Sequence, residues 1–353
     1  MNLEHEPLQS KDEPLKSGVE TLAHSSLQHH LADRRIGKTK WRQGLRFRAR
    51  GWPAYLQKQL RKSLWRSPFR HMHYFPLQVR VEMKSDGSWS FKLRGRGQIE
   101  VCSSPLADLR NQPPGKPVIA ATGPSAKEFD WSRLMDGSRP IWAMNGAPSF
   151  LADRGLKCDY LVVSDHRFAR EGIEHIQIAA AGGAVLLLSP EAAAGILQTG
   201  GDILQRSKFH VFEKVNDWYG LPAVNAADLA AMNRIQGEPF LLPEHPCKGV
   251  GWSHDASFGV FAGRTVTFAA LQLAVWQGAK QIDVVGLDLG GGSRCYDERI
   301  PAVSQLEADK RDYILPAFDC LARALAGGPV SIFNHSEVSP LPRDLVPQQS
   351  VQG

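Results

Sequence analysis

The chain lacks several signatures that would assign it directly to a functional class. Its five cysteines are scattered and never form a C-x-x-C pair, so neither a disulfide framework nor a zinc site is indicated. No apolar run reaches the length of about 18 residues that a membrane-spanning helix requires. No G-x-G-x-x-G fingerprint follows the first strand of the main domain, and the sequence contains no P-loop and no G-x-S-x-G nucleophile elbow. These absences argue against a zinc protein, a dinucleotide enzyme of the common type, a P-loop NTPase and an α/β-hydrolase.

The first 33 residues are polar and are predicted to form a disordered leader rather than a secretory signal. Together with the unpaired thiols, this composition leads us to expect a cytoplasmic protein.

A net positive charge is confined to one segment of the chain. Between Arg34 and Arg70 there are 13 Lys or Arg and no Asp or Glu, so subtracting them from the net charge of +6 leaves −7 elsewhere. In residues 34–75 these charges are interleaved with aromatic and aliphatic side chains, and from Pro53 to Trp65 the apolar residues fall at helical spacing. This pattern favours a helix on an anionic membrane surface, here the inner face of the cytoplasmic membrane. Nucleic acid and a packed structural arm are the alternative interpretations. The predicted membrane-surface residues are Trp41, Trp52, Trp65, Arg61 and Lys62.

Residues 76–110 alternate between apolar and polar positions and predict a small β meander with a turn at Asp86-Gly87. Residues 111–117 form a Pro/Gly linker, and residues 341–353 are a tail.

From 117 to 340, short apolar runs alternate with helical stretches. Such runs are typical of parallel strands covered on both faces. The pattern predicts an α/β fold, a doubly wound, mostly parallel (Rossmann-like) sheet with a small basic N-terminal α+β extension. The predicted strands are 117–122, 140–145, 160–164, 184–189, 208–214, 281–287 and 330–334.

The run PVIAATGPS (117–125) is interpreted as a buried strand that enters a tight turn. Ser125 is predicted to be the N-cap of the next helix, with Glu128 completing a capping box. A helix N-terminus at the carboxyl end of a strand is suited to binding a phosphate or a nucleotide.

Four segments in this order resemble a known superfamily: GPSAKEFDW (123–131), AMNGAP (143–148), residues 263–289 and SIFNHSEVSPL (331–341). The superfamily comprises the motility accessory factors that glycosylate flagellin and the archaeal 6-hydroxymethylpterin diphosphokinases, and the family-42 bacterial sialyltransferases are similar in arrangement. The resemblance implies a nucleotide at the carboxyl edge of the sheet and, from the sialyltransferases, a CMP-activated sugar donor. Carried over position by position, the implied nucleotide-binding residues are Gly123, Pro124, Ser125, Asn145, Gly263, Thr265, Thr267 and Gly286.

The sialyltransferases carry a lid histidine that acts as general base, but no histidine lies between Gly286 and Asn334 here. His166, which follows a strand and lies beside Asp165, is the best-placed substitute, and His254 with Asp255 comes second. The candidate catalytic residues are therefore His166, Asp165 and Asp288.

Three hypotheses follow from the sequence. The first is a glycosyltransferase that takes a nucleotide-activated sugar and a glycan or lipid-linked acceptor in surface polysaccharide or lipopolysaccharide assembly. The second is a Mg²⁺- and ATP-dependent diphosphotransferase on a pterin-like alcohol, with Asp165 and Asp288 as metal ligands. The third is a non-catalytic nucleotide-binding protein of envelope biogenesis. No further cofactor is predicted.

Overall fold

The computed structural model describes residues 67–95, 99–290, 293–298 and 305–347. The predicted leader and the membrane-surface residues Trp41, Trp52, Trp65, Arg61 and Lys62 lie outside the described residues. In the described part of the chain, no helix is both long and apolar enough to cross a membrane.

The centre of the molecule is a seven-stranded sheet in which every neighbouring pair is parallel. Most of its strand residues are buried, as expected when helices cover both faces. The predicted doubly wound α/β fold is confirmed, and all seven predicted strands are present. They are β4 (Val118–Ala120), β5 (Ile141–Met144), β6 (Tyr160–Val163), β7 (Val185–Leu188), β8 (Phe209–Val211), β11 (Gln281–Val285) and β12 (Ser331–Asn334).

The spatial order of the strands is β12-β11-β4-β5-β6-β7-β8. The chain therefore moves outward from β4 to β8 and then returns to add β11 and β12 on the other side of β4. Reversal of strand order between β4 and β11 marks the point where doubly wound sheets bind ligands, outside the carboxyl ends of the strands.

The helices lie between these strands. The longest among the described residues, α7 (Val266–Gln277), is buried along nearly its whole length and is capped at its C-terminus by Gly278, whose φ of 114° suits only glycine. Because α7 leads directly into β11, its N-terminus lies on the side of the carboxyl edge of the sheet. The helices are α1 (Ala147–Ala152), α2 (Phe168–Glu171), α3 (Ile173–Ala181), α4 (Pro190–Thr199), α5 (Gly201–Arg206), α6 (Ala226–Ile235), α7 (Val266–Gln277), α8 (Leu306–Asp309) and α9 (Leu315–Leu325), with a π turn at Lys310–Ile314 between the last two.

Two smaller sheets are antiparallel. The first is the three-stranded meander of β1 (Val79–Met83), β2 (Trp89–Leu93) and β3 (Ile99–Cys102). The second is a two-stranded pair, β9 (Phe240–Leu241) and β10 (Trp252–Ser253).

The meander shares a hydrophobic core with the main sheet. Phe91 and Trp89 are buried in one cluster with Val118 and Leu161 of the parallel strands. A 3₁₀ segment at Ser67–Tyr74 precedes the meander and contributes the buried Met72 to the same core. The N-terminal extension therefore packs on the α/β domain, with no core of its own among the described residues.

Candidate functional site at the carboxyl edge of the sheet

The ends of β4 and β11 are joined by the Asp288 carboxylate. The Ser125 backbone N–H donates to Asp288 Oδ2 at 2.9 Å, and the Ser125 hydroxyl donates to Asp288 Oδ1. The Ser336 hydroxyl, from the chain after β12, donates to the same Oδ1 at 2.5 Å. Asp288 is only 6% exposed, so these hydrogen bonds satisfy a buried carboxylate.

Two glycines allow this close approach. A Cβ on Gly123 would lie 2.4 Å from Asp288 Oδ2 and 2.5 Å from the Gly286 carbonyl oxygen. Gly286 has a φ of 78°, a left-handed conformation that disfavours other residues. The Gly123-Pro124-Ser125 turn therefore needs its small residues for contact with Asp288 and β11.

The predicted helix start at Ser125 is wrong. Gly123 is the N-cap, Pro124–Lys127 forms a single 3₁₀ turn, and Glu128 is its C-cap, so no capping box forms. Asp288 accepts hydrogen bonds from both the backbone N–H and the hydroxyl of Ser125, and these contacts hold the residue in a short turn. The Ser125 N–H, which the sequence assigns to a phosphate, donates to a carboxylate of the chain itself.

Asn145, at the end of β5, has an unusual backbone and an unsatisfied side chain. Its φ is 46°, the left-handed region that asparagine tolerates better than most residues. Its Oδ1 is buried and has no hydrogen-bond partner among the described residues. Leaving a buried acceptor unsatisfied costs about 1–3 kcal/mol, so this atom is suited to a donor supplied by a ligand.

Residues 293–298 lie over the ends of β4 and β5. The Tyr296 ring rests on Gly146, where an added Cβ would lie 2.4 Å from the ring. The Cys295 N–H donates to the Thr122 carbonyl at 3.0 Å, and Arg294 donates to the Thr122 hydroxyl at 3.4 Å. Burial raises the pKa of Tyr296 to about 12, so its phenol stays protonated and can donate at neutral pH.

His166 and Asp165 follow β6, the next strand along the edge. His166 Nδ1 lies 3.5 Å from Asp165 Oδ1, and the imidazole packs against the Tyr74 ring with ring centroids 4.4 Å apart and ring planes tilted by 38°. Burial lowers the pKa of His166 to about 4, against the opposing charges of Asp165 and Glu191. The imidazole is therefore neutral near pH 7, the form in which it can accept a proton.

The structure separates Asp288 from Asp165 and His166, the other two residues predicted to be catalytic. Asp288 follows β11 and His166 follows β6, with β4 and β5 between them. Three strand spacings of about 4.8 Å place these strand ends about 14 Å apart. Asp165 and Asp288 are thus too far apart to share one metal ion, and the described residues contain no cluster of three or more His, Cys, Asp or Glu suited to a metal.

The remaining predicted residues lie at the start of α7. Thr265 is the N-cap and makes no capping hydrogen bond with its side chain, whereas Thr267 is buried. Gly263 has a φ of 50°, and its N–H donates to the Gly249 carbonyl at 3.0 Å. His254 and Asp255 were the second candidates for the general base. Asp255 is the N-cap of a short 3₁₀ turn, where it accepts a hydrogen bond from the Ser257 N–H, and His254 is exposed beside it.

Sequence reasoning missed five residues of this edge, including Arg294, which donates to the Thr122 hydroxyl. Glu191 and Lys214 follow β7 and β8 and form a buried ion pair, and inspection of every strand end would have found them. Ser336 lies within a quoted motif and reaches Asp288. Tyr74 gave no usable signal, since nothing in its local sequence predicts contact with His166.

No protein-family model and no curated protein matches the chain. Among solved structures, the chain is similar to the sialyltransferase CstII from Campylobacter jejuni in complex with the substrate analogue CMP-3FNeuAc, at 14% identity over 62% of this chain and 81% of that one, with a TM-score of 0.34. Monomeric CstII aligns at 15% identity over 64% and 82%, with a TM-score of 0.35. A MAf glycosyltransferase from Magnetospirillum magneticum AMB-1 aligns at 16% identity over 62% of this chain and 31% of that one, with a TM-score of 0.32. These solved neighbours are named as glycosyltransferases, and at such identities and TM-scores they carry no argument about the activity of this chain.

Proposed function

We propose that this chain is a glycosyltransferase that moves a sugar from a nucleotide donor to a hydroxyl acceptor. The observation that carries the proposal is the buried Asn145 Oδ1, which has no hydrogen-bond partner within the described part of the chain and lies beside the reversal of strand order. A pyrimidine amino group or a ribose hydroxyl would supply the hydrogen bond that this atom lacks. The resemblance of motifs 123–131 and 143–148 to those of the sialyltransferases favours a CMP-linked donor among the nucleotides.

The donor lies, in this proposal, along the edge from the start of α7 toward β6. Asn145 binds the nucleoside, and Tyr296 covers it from the 293–298 segment. Because Asp288 already occupies the Ser125 N–H, the phosphate is held by groups other than Ser125. Arg294 is the nearest candidate, since its guanidinium reaches the Thr122 hydroxyl at the end of β4.

His166 is the proposed base. The acceptor oxygen bonds to the anomeric carbon of the sugar, the bond from that carbon to the phosphate oxygen breaks, and the hydroxyl proton moves to His166 Nε2. Nδ1 faces Asp165, which holds the ring orientation and stabilises the imidazolium that forms. The nucleotide leaves with the electron pair of the broken bond.

The diphosphotransferase hypothesis is disfavoured by geometry. It uses Asp165 and Asp288 as Mg²⁺ ligands, and these side chains follow strands separated by two others. Asp288 also already accepts three hydrogen bonds from Ser125 and Ser336, which leaves little capacity for a metal.

The biological setting follows from the basic segment. Residues 34–66 carry tryptophans and a dense positive charge, and the chain then enters the 3₁₀ segment that places Tyr74 on His166. An enzyme docked through this segment on the inner face of the cytoplasmic membrane would meet a lipid-linked acceptor, as in surface polysaccharide or lipopolysaccharide assembly.

A thermal-shift panel tests the proposal. The full chain is heated with CMP, UDP, GDP or ATP, each with and without Mg²⁺, at concentrations far above the expected Kd. We expect CMP to raise the melting temperature most, without a requirement for Mg²⁺. A shift only with ATP and Mg²⁺ would favour the diphosphotransferase, and no shift with any nucleotide would reject the proposal.

The enzymatic step is tested by donor hydrolysis. Glycosyltransferases release nucleotide slowly from the donor when water replaces the acceptor, so CMP release from a CMP-activated nonulosonic acid measures bond cleavage without a known acceptor. Release equal to the uncatalysed rate, with CMP nonetheless bound, would support the non-catalytic alternative.

A further inference from the structure

A second group of polar side chains lies on the same edge, beyond the proposed donor site. Asp165 and His166 follow β6, Glu191 follows β7 and Lys214 follows β8, so three neighbouring strands each contribute to it. Tyr74 reaches the group from the N-terminal 3₁₀ segment. We name these five residues the Tyr74 cluster.

The base of the Tyr74 cluster is an ion pair. The Lys214 ammonium contacts the Glu191 carboxylate, and their side chains are 22% and 8% exposed. Although burial opposes its charge, the pKa of Lys214 is raised, because Glu191, Asp217 and Asp165 favour the ammonium form. A buried pair of this kind is costly to desolvate and adds little stability compared with apolar packing, so its presence invites a functional explanation.

The upper part of the cluster is open to solvent. Tyr74 is 38% exposed, and the side chains of Asp165 and His166 are 46% and 25% exposed. Tyr74 is held in position because its neighbours Met72 and Phe75 are buried in the core and the Ala223 N–H donates to the Pro68 carbonyl at 2.5 Å. A ligand at the end of β6 would therefore meet an aromatic ring, a carboxylate and an imidazole.

A nearby histidine has unused hydrogen-bonding capacity. His71 is 9% exposed, and its Nε2 lies 3.1 Å from the Trp218 carbonyl. Its Nδ1 is buried and has no hydrogen-bond partner in the described part of the chain, and it lies 3.9 Å from Asp217 Oδ1, beyond direct hydrogen-bond range. The negative charge of Asp217 raises the pKa of both Tyr74 and Lys214. This unused nitrogen and the adjacent carboxylate are suited to a hydroxyl group.

The charges around the cluster cancel. Glu191 pairs with Lys214, and Asp217 pairs with Lys248 at 2.7 Å. The charge of Asp165 raises the pKa of His166, whereas the charge of Arg170 lowers it. The site therefore offers many donors and acceptors without a net charge, which does not favour a phosphate, a carboxylate or an ammonium group.

We propose that the Tyr74 cluster is the acceptor subsite and that it takes an uncharged sugar ring with free hydroxyl groups. The apolar face of the ring lies on Tyr74, and the hydroxyls meet Asp165, Lys214 and the neutral His166. The inference rests on the proposed glycosyl transfer, and it narrows the acceptor to a neutral sugar rather than a sialylated or phosphorylated one.

Saturation-transfer NMR on the full chain tests the subsite directly. The probes are methyl β-D-galactopyranoside and methyl β-D-glucopyranoside, compared with glucuronic acid and glucosamine. We expect transfer to at least one neutral glycoside, weak transfer to the charged sugars, and about three- to tenfold weaker binding in Tyr74→Ala. Leu77→Ala removes a side chain that is 49% exposed from the turn that follows the 3₁₀ segment, and it should leave binding unchanged.

Asp165→Asn provides a second variant, because it keeps the size of the side chain and is exposed enough to be tolerated. Equal binding by Tyr74→Ala, Asp165→Asn and the unmodified chain, a preference for glucuronic acid, or no transfer to any probe would overturn the acceptor subsite. The CMP thermal shift is measured on the same samples. If CMP binds and the glycosides do not, only the subsite fails; if no nucleotide binds, the proposed function fails.

Discussion

Asp288 holds Ser125 across the boundary between β4 and β11, accepting hydrogen bonds from both its backbone N–H and its hydroxyl. The two residues are 163 positions apart in the sequence. The contact joins the two strands between which strand order reverses. The Ser125 N–H, predicted to bind a phosphate, therefore binds a carboxylate of the protein itself.

Loss of the Asp288 charge should destabilise the protein. We expect Asp288→Asn to lower the free energy of unfolding by about 1–3 kcal/mol, because its amide can replace only some of the contacts with Ser125 and Ser336. Urea denaturation measures the change. Asp153→Asn, at an exposed aspartate, is the matched control, and an equal effect of both substitutions would contradict the role of Asp288.

Substitutions at Asn145 should distinguish the contribution of its backbone conformation to stability from the contribution of its side chain to nucleotide binding. Because φ is 46°, Asn145→Gly removes the side chain without strain, whereas Asn145→Ala should cost about 1–2 kcal/mol of stability. We expect Asn145→Gly to lose the CMP-induced thermal shift while the melting temperature without nucleotide stays close to that of the parent. Asn145→Asp keeps Oδ1 and should retain part of the shift; a full shift in Asn145→Gly would remove this residue from the site.

Gly146 and Tyr296 should be strongly coupled. An added Cβ at Gly146 would lie 2.4 Å from the Tyr296 ring, so Gly146→Ala should cost roughly 1–3 kcal/mol of unfolding free energy. In a Tyr296→Ala background most of that cost should disappear, which a double-mutant cycle in urea detects. Gly290→Ala, where a Cβ would meet nothing within 4 Å, is the control. Additive effects of the two substitutions would show that the ring does not rest on Gly146.

The lowered pKa of His166 should appear in the pH dependence of stability. Since its pKa in the folded protein is about 4, below the ordinary value of 6.5, the fold favours the neutral imidazole. The resulting stability is complete above pH 6.5 and is lost as the pH falls toward 4. We expect His166→Gln to reduce the stability loss between pH 7.5 and 5 (about 1–2 kcal/mol) relative to the parent chain.

NMR titration of His166 provides the direct measurement, with an expected midpoint near pH 4. His71, His210 and His254 also have lowered pKa values through burial, so the single substitution is needed to isolate His166. The exposed His245 serves as the control for the Gln substitution. A midpoint near 6.5 would contradict the partial burial of the imidazole.

Membrane binding should depend on the location of the basic residues and not on net charge alone. We expect the pair Arg61→Gln and Lys62→Gln to weaken sedimentation with phosphatidylglycerol vesicles by about 30-fold at low salt, at about 1 kcal/mol per charge. The same charge change at the exposed Arg234 and Lys280 should have little effect. Equal losses of vesicle binding from the two pairs of substitutions would refute a membrane-binding surface formed specifically by the basic segment. A deletion should end at residue 66, because Met72 and Phe75 belong to the core.

The strands of the main sheet could be predicted because their signal is local. Runs such as YLVV at β6 and VLLL at β7 are continuously apolar, and a strand buried on both faces requires that composition. The residues at the carboxyl ends of the strands could be predicted for the same reason, and Asn145 and His166 do lie at this edge. The prediction of a helix start at Ser125 was wrong because the Ser125 N–H donates to Asp288, a residue too remote in the sequence for a local pattern to reveal.

The amino-acid sequence by itself determined the α/β class, the order of its strands along the chain, and the concentration of positive charge before residue 71. Only the tertiary structure decided which side chains meet. It placed Asp288 against Ser125 and Tyr74 against His166, and it left Asn145 Oδ1 buried with no partner among the residues that the structure describes. Apolar periodicity is a property of neighbouring residues, whereas these contacts depend on strand order and on the packing of segments far apart in the sequence.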